Sequence, residues 1–137
     1  MVRMRIATLC LSLVLAACSN ASGEEQEGLE ARLPGASQGL CDAQALASEP
    51  NVPGAAAVFD AEVHGFLHEL AAVVQRSERT AAADLLEAKQ RVERAFEDPA
   101  RAPPQQVVVL LSELQRALGQ AAKAAGLPTP LCREGAS

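Results

Sequence analysis

The sequence contains few of the residues from which most active sites and nucleic-acid interfaces are built. It has no tryptophan, no tyrosine, three phenylalanines and two histidines among 137 residues, and its formal net charge is −5. Proteins bind single-stranded nucleic acid on aromatic side chains that stack on the bases, and they bind any DNA or RNA through a basic surface. This composition therefore excludes both single-stranded and double-stranded nucleic acid as partners. The length allows one ordinary small domain and not two.

Long apolar runs are also scarce, and the longest one lies at the N-terminus. Arg3 and Arg5 form a basic start, and the apolar residues 6–17 end in small side chains, which is the pattern of a signal peptide. Twelve helical residues rise only about 18 Å, well short of the roughly 30 Å hydrocarbon layer of a membrane. We therefore expect residues 1–17 to be a targeting segment that is removed before folding.

A specific motif stands at the end of this stretch. Leu15-Ala16-Ala17-Cys18 resembles the lipobox of bacterial lipoproteins, in which a leucine and two small residues precede a cysteine. The resemblance covers the first eighteen residues and implies cleavage before Cys18, a diacylglycerol (palmitate-type) anchor on its sulfur and a place in the cell envelope. Ser19 in the next position implies the outer membrane if the bacterium is Gram-negative. A plain secretory signal, cut before a disulfide cysteine, is the alternative.

Four cysteines are present, and two of them are accounted for by export. Cys10 leaves with the signal and Cys18 takes the lipid, so Cys41 and Cys132 form an even pair, expected to be a disulfide in an oxidising compartment. Closing so long a loop contributes roughly 4–5 kcal/mol in the chain-entropy model. A metal site would be the competing use, but the sequence has no CxxC spacing and no histidine near either cysteine.

Residues 18–40 are small, polar, acidic and rich in glycine, which predicts a flexible acidic tether about 25 Å long. A G-x-S-x-G match centred on Ser37 lies in this segment, without the preceding strand that a hydrolase nucleophile requires, so we interpret it as chance. Loss of residues 1–17 leaves ten basic and 17 acidic residues, a net charge of −7. Anionic headgroups would repel such a chain, so membrane contact is expected through the lipid.

Residues 41–137 are predicted to be an all-α domain with a short C-terminal tail, because apolar residues recur every three or four positions over three long stretches. The expected fold is a small antiparallel helical bundle of three long helices plus a short N-terminal helix, closed by a Cys41–Cys132 disulfide. The predicted helices cover residues 42–49, 55–76, 78–97 and the stretch from Pro103-Pro104 to Gly126. If residues 50–54 are extended, Cys41 can lie at the end of the bundle where the last helix ends.

Two features of these helices were open to more than one interpretation. Residues 76–80 contain neither glycine nor proline, so one helix over 55–97 is the alternative to a turn there. Gly65 and Gly119 lie inside predicted helices, where glycine costs about 1 kcal/mol relative to alanine, which suggests close helix contact or a kink.

The one suggestive set of chemical groups is a histidine pair. His64 and His68 are four residues apart, on adjacent turns of a predicted helix, and Asp60 precedes them by one turn. Such imidazoles can jointly hold Zn²⁺ or Cu²⁺. A solvent-exposed helix face with no ligand is the simpler interpretation.

No catalytic motif accompanies this pair, so the sequence predicts a protein that is not an enzyme. We expect a membrane-anchored envelope lipoprotein whose helical module contacts an unknown envelope protein and no nucleic acid. The alternative is an extracytoplasmic metal-binding sensor or scavenger that uses His64 and His68.

Overall fold

The computed structural model describes the backbone of residues 18–132 and the side chains of residues 23–132. The predicted signal segment, the last five residues and the sulfur of Cys18 lie outside the described part. Within it the chain is helical and has no strand. The helices are α1 (Cys18–Ser48), α2 (Val52–Val58), α3 (His64–Val74), α4 (Arg79–Glu97) and α5 (Pro104–Ala124). A π-helical turn, Phe59–Val63, joins α2 and α3 into one continuous helix. The predicted all-α bundle is confirmed.

The helices form an antiparallel ring in which α1 packs against α2 and α3, α3 against α4, α4 against α5, and α5 against α1. At one pole Arg76, after α3, meets Glu25 of α1, and near the other pole Phe59 packs on Phe96 of α4. Every helix therefore buries its apolar stripe inside the ring. The largest fully buried side chains are Leu40, Leu67, Leu70, Leu85, Leu111, Leu114 and Leu118.

The predicted flexible tether over residues 18–40 is wrong, because this segment is the first three quarters of α1. Leu29, Leu33 and Leu40 are 3%, 3% and 0% exposed and belong to the core. These leucines recur at helical spacing, but each turn supplies only one large apolar side chain between glycines and charges. A segment with so few large apolar residues has the composition of a disordered chain. It is a helix in this fold because α3 and α5 cover its apolar side. The predicted short helix 42–49 is only the end of α1.

The turn between α3 and α4 is confirmed, and a single helix over 55–97 is not what the chain forms. The Ser77 and Glu78 amides both bond to the Val74 carbonyl, at 3.1 and 2.7 Å, which closes the helix end. The N-cap position of α4 is Glu78, whose side chain makes no capping hydrogen bond. The chain turns here because both helices need their stripes in the same core.

The π turn keeps the apolar stripe of α2 and α3 directed at the core. Ala55, Phe59, Val63 and Leu67 follow one another at steps of four residues, and all are at most 2% exposed. In a regular α-helix each such step advances the stripe by about 40°, so it would drift away from the core. The i to i+5 bond from the His64 amide to the Phe59 carbonyl widens the turn and offsets this drift.

The predicted disulfide between Cys41 and Cys132 is present, with Cα atoms 5.8 Å apart. Cys41 does not lie at the pole where α5 ends, as expected, but seven residues before the end of α1 at the other pole. The C-terminal segment makes the return instead. Gly126, at φ 71°, turns the chain, and the Leu127 amide bonds back to the Ala122 carbonyl at 2.8 Å.

Residues 127–132, the C-terminal strap, then run back along α1 and α5 to the disulfide. Ser37 donates its hydroxyl to the Leu131 carbonyl at 3.2 Å. Gln115 of α5 donates its side-chain amide to the Cys132 sulfur at 3.1 Å. The strap thus ties the end of the chain to the helix that the sequence had suggested was a tether.

Candidate functional site

The predicted histidine pair lies on the first two turns of α3, directly after the π turn. The ring centroids of His64 and His68 are 4.9 Å apart at an angle of 61°. The His64 side chain is half-buried and meets the edge of Phe59, whereas His68 is exposed. The structure thus brings together the two imidazoles that the sequence placed on one helix face.

Helix α4 adds two charged groups to the pair, Lys89 and Glu93. Glu93 Oε1 accepts a hydrogen bond from Lys89 Nζ at 2.5 Å and lies 2.8 Å from His64 Nδ1. Lysine side chains are mostly exposed, but that of Lys89 is only 4% exposed. Its aliphatic stem packs under the α3–α4 contact, and the carboxylate compensates its charge. We call His64, His68, Lys89 and Glu93 the histidine cluster.

The electrostatics of the cluster favour a neutral His68. Although His68 is largely exposed, partial desolvation of its ring lowers its pKa below the ordinary value of 6.5; the neighbouring Lys89 and His64 lower it further, and Glu93 opposes them. A neutral imidazole keeps a lone pair for a ligand. On His64, Nδ1 faces the Glu93 carboxylate at 2.8 Å, so Nε2 is the ring nitrogen that this contact leaves for a ligand.

Asp60, the third predicted ligand, is exposed in the π turn. Over residues 18–132 no three or more histidine, cysteine, aspartate or glutamate side chains are grouped so that they could hold a metal ion. The two imidazoles are therefore the part of the predicted set that comes together. Sequence reasoning missed the partnership of the histidines with Lys89 and Glu93. The four-residue spacing of Lys89 and Glu93 indicates their own ion pair on α4 but gives no sign of the contact with α3.

A second polar site lies in the shallow groove between α4 and α5. Arg91 Nη1 lies 3.3 Å from Glu113 Oε2, while Arg91 Nε and that same oxygen are shielded from solvent without a hydrogen-bond partner. We call this feature the α4/α5 groove; its polar lining consists of Asp84, Glu87, Arg91, Glu113, Arg116 and Gln120. Both signs of charge line it, and two of its polar atoms lack hydrogen bonds.

The remaining predicted residues lie elsewhere. The backbone of Cys18 begins α1, and its predicted lipidation lies outside the described side chains. Ser37, at the centre of the G-x-S-x-G match, is 1% exposed inside α1 and holds the C-terminal strap. Among residues 18–132 no helix combines the length and the apolar character needed to cross a bilayer.

Comparison of the chain with protein-family models, with curated proteins and with solved structures finds no match.

Proposed function

We propose that the chain is a bacterial envelope lipoprotein, anchored by a diacylglycerol on Cys18, whose helical bundle binds an envelope protein without catalysis. The lipobox-like residues 15–18 support the anchor, and the described part of α1 includes the cysteine that would carry it. The Cys41–Cys132 disulfide supports an oxidising, extracytoplasmic compartment. The disulfide and strap hold residues 127–132 against α1 and α5 of the bundle.

The observation that carries the binding proposal is the α4/α5 groove. Arg91 and Glu113 form an ion pair across it, with Arg91 Nη1 3.3 Å from Glu113 Oε2, and their side chains are 41% and 34% exposed. A docked protein with a complementary pattern of charges would pair with the exposed parts of these side chains. Acidic and basic side chains both line the groove, and such mixed surfaces give specificity through charge complementarity.

Crosslinking in intact cells tests this surface. A photoreactive residue at Gln120, in the groove, should give one stoichiometric adduct with an envelope protein, and Arg116→Glu should abolish it. The matched control is the same residue at Ala57, exposed in the groove between α1 and α2 on the other side of the ring. No adduct from Gln120, or the same adducts from both positions, would contradict the proposal.

The anchor is tested separately, by intact mass of the mature protein. The expected species begins at Cys18, carries an acyl adduct and contains no free thiol at positions 41 and 132. Cys18→Ala should move the protein out of the membrane fraction. A mature chain without acyl mass would overturn the lipoprotein assignment, whatever the crosslinking shows.

A second candidate function, metal capture by the histidine cluster, is favoured by one observation. The His64 and His68 rings lie 4.9 Å apart, and Glu93 orients His64 through Nδ1, as carboxylates orient metal-bound histidines. Titration with Zn²⁺ or Cu²⁺ should then saturate at one ion per chain. The His64→Ala, His68→Ala double variant should lose that binding. Equal binding by this variant and the parent would exclude the site.

A further inference from the structure

We infer that one pole of the bundle lies directly against the lipid headgroups, an inference that rests on the proposed acylation of Cys18. This membrane-proximal pole consists of residues 23–28, 75–80 and 122–127, where α1 enters the bundle, α3 turns into α4, and α5 ends. This pole contacts the headgroup layer of the membrane that holds the anchor. A flexible tether would have left the bundle free to take any orientation.

The length and stiffness of α1 carry the inference. The helix is continuous from Cys18, and the seven residues from there to Glu25 rise only about 10 Å. At Glu25 the helix is already bound to the bundle, because Arg76 Nη2 donates to Glu25 Oε2 at 2.5 Å. A side chain added at Gly126 would meet Gln26 at 3.5 Å, so the end of α5 lies beside the same turn. An acyl chain on Cys18 therefore brings this pole within about 10 Å of the anchor.

The charge of the pole agrees with such a position. The mature chain carries a net charge of −7, which anionic headgroups repel. Within the pole the signs nearly cancel. Its acidic side chains are Glu24, Glu25, Glu27 and Glu78, and its basic ones are Arg76, Arg79 and Lys123. Most of the acidic excess is therefore carried on surfaces farther from the anchor.

The opposite pole, with the α1–α2 turn and the loop between α4 and α5, lies about 45 Å from Cys18 along α1. That distance allows a direct measurement. Ser77 and Ala100 are both exposed and lie on turns at opposite poles. Single Ser77→Cys and Ala100→Cys variants of the acylated, disulfide-intact protein would each carry one fluorophore. The vesicles would contain phosphatidylethanolamine and phosphatidylglycerol with a headgroup-nitroxide lipid as quencher.

The Ser77 label is expected to lose most of its fluorescence to the quencher and the Ala100 label almost none. A flexible Gly/Ser insertion of about eight residues after Gly23 uncouples the bundle from the anchor, and it should remove the difference between the labels. Equal quenching of the two labels in the uninterrupted protein, or stronger quenching at Ala100, overturns the inference and leaves the lipoprotein assignment intact. A mature protein without an acyl adduct would overturn both this inference and the lipoprotein assignment. Intact mass therefore distinguishes failure of the anchor from failure of the orientation.

Discussion

Gly39 of α1 lies directly against Glu62 of the π turn, so that a Cβ atom at Gly39 would come within 2.5 Å of the Glu62 Cβ and 3.2 Å of a Val63 methyl. Both neighbours are attached close to the backbone and cannot swing away. We predict that Gly39→Ala destabilises the fold by about 1–2 kcal/mol, because overpacking exceeds the helix propensity gained. Urea unfolding measures the difference.

Gly35, one turn earlier on α1, is the matched control because nothing lies within 4 Å of the position of its Cβ. Gly35→Ala should stabilise the protein by up to about 1 kcal/mol through helix propensity alone. The same holds for Gly65 and Gly119, where the suggested close helix contact is absent. A stabilising Gly39→Ala would show that α1 and the π turn are farther apart than described.

The second prediction concerns the role of α1 in the core. Leu33 is 3% exposed, so Leu33→Ala should lower the free energy of unfolding by about 2–5 kcal/mol. Glu30→Ala, at an exposed position on the neighbouring turn, should change it little. Thermal or urea unfolding compares them. If Leu33→Ala were as neutral as Glu30→Ala, residues 18–40 would be a tether after all.

The third prediction concerns the buried ammonium of Lys89. Glu93→Gln removes the carboxylate that Lys89 and His64 share, leaving a nearly buried positive charge uncompensated. We expect a loss of about 1–3 kcal/mol in urea unfolding. Adding Lys89→Met to Glu93→Gln should recover most of it, because an apolar side chain of similar volume needs no counter-charge. Equal stability of the single and double variants would argue against this pairing.

The fourth prediction is a pH dependence from His68. Its pKa is lowered in the folded protein, so the unfolded chain binds the proton more readily. The stabilisation from His68 is complete above its ordinary pKa of 6.5 and decreases as the pH falls from there to the lowered folded value. NMR titration of the ring should give a pKa below 6.5. Unfolding of His68→Gln should depend less on pH over the same window; a steeper dependence would contradict the sign.

How far the sequence predicts the fold depends on how clear the apolar pattern of each helix is. The stripes of the continuous helix from α2 to α3, of α4 and of α5 contain several large apolar side chains per two turns, and the bounds of these helices follow within a few residues. The first 23 residues of α1 contain few large apolar side chains. Their polar composition therefore predicted a tether, although their leucines recur at helical spacing. The pairing of Lys89 with His64 through Glu93 joins two helices, and no spacing along one helix reveals it.

The sequence by itself determined the helical class, the disulfide partners and the nearness of His64 to His68. Each depends on local periodicity, on cysteine count or on residues a single turn apart. Only the tertiary structure decided that α1 is a core helix, that the chain turns between α3 and α4, that the C-terminal strap returns to Cys41, and that Gly39 packs directly against the π turn. These depend on which surface a neighbouring helix covers, and burial of that kind is a property of the packed bundle and not of any segment alone.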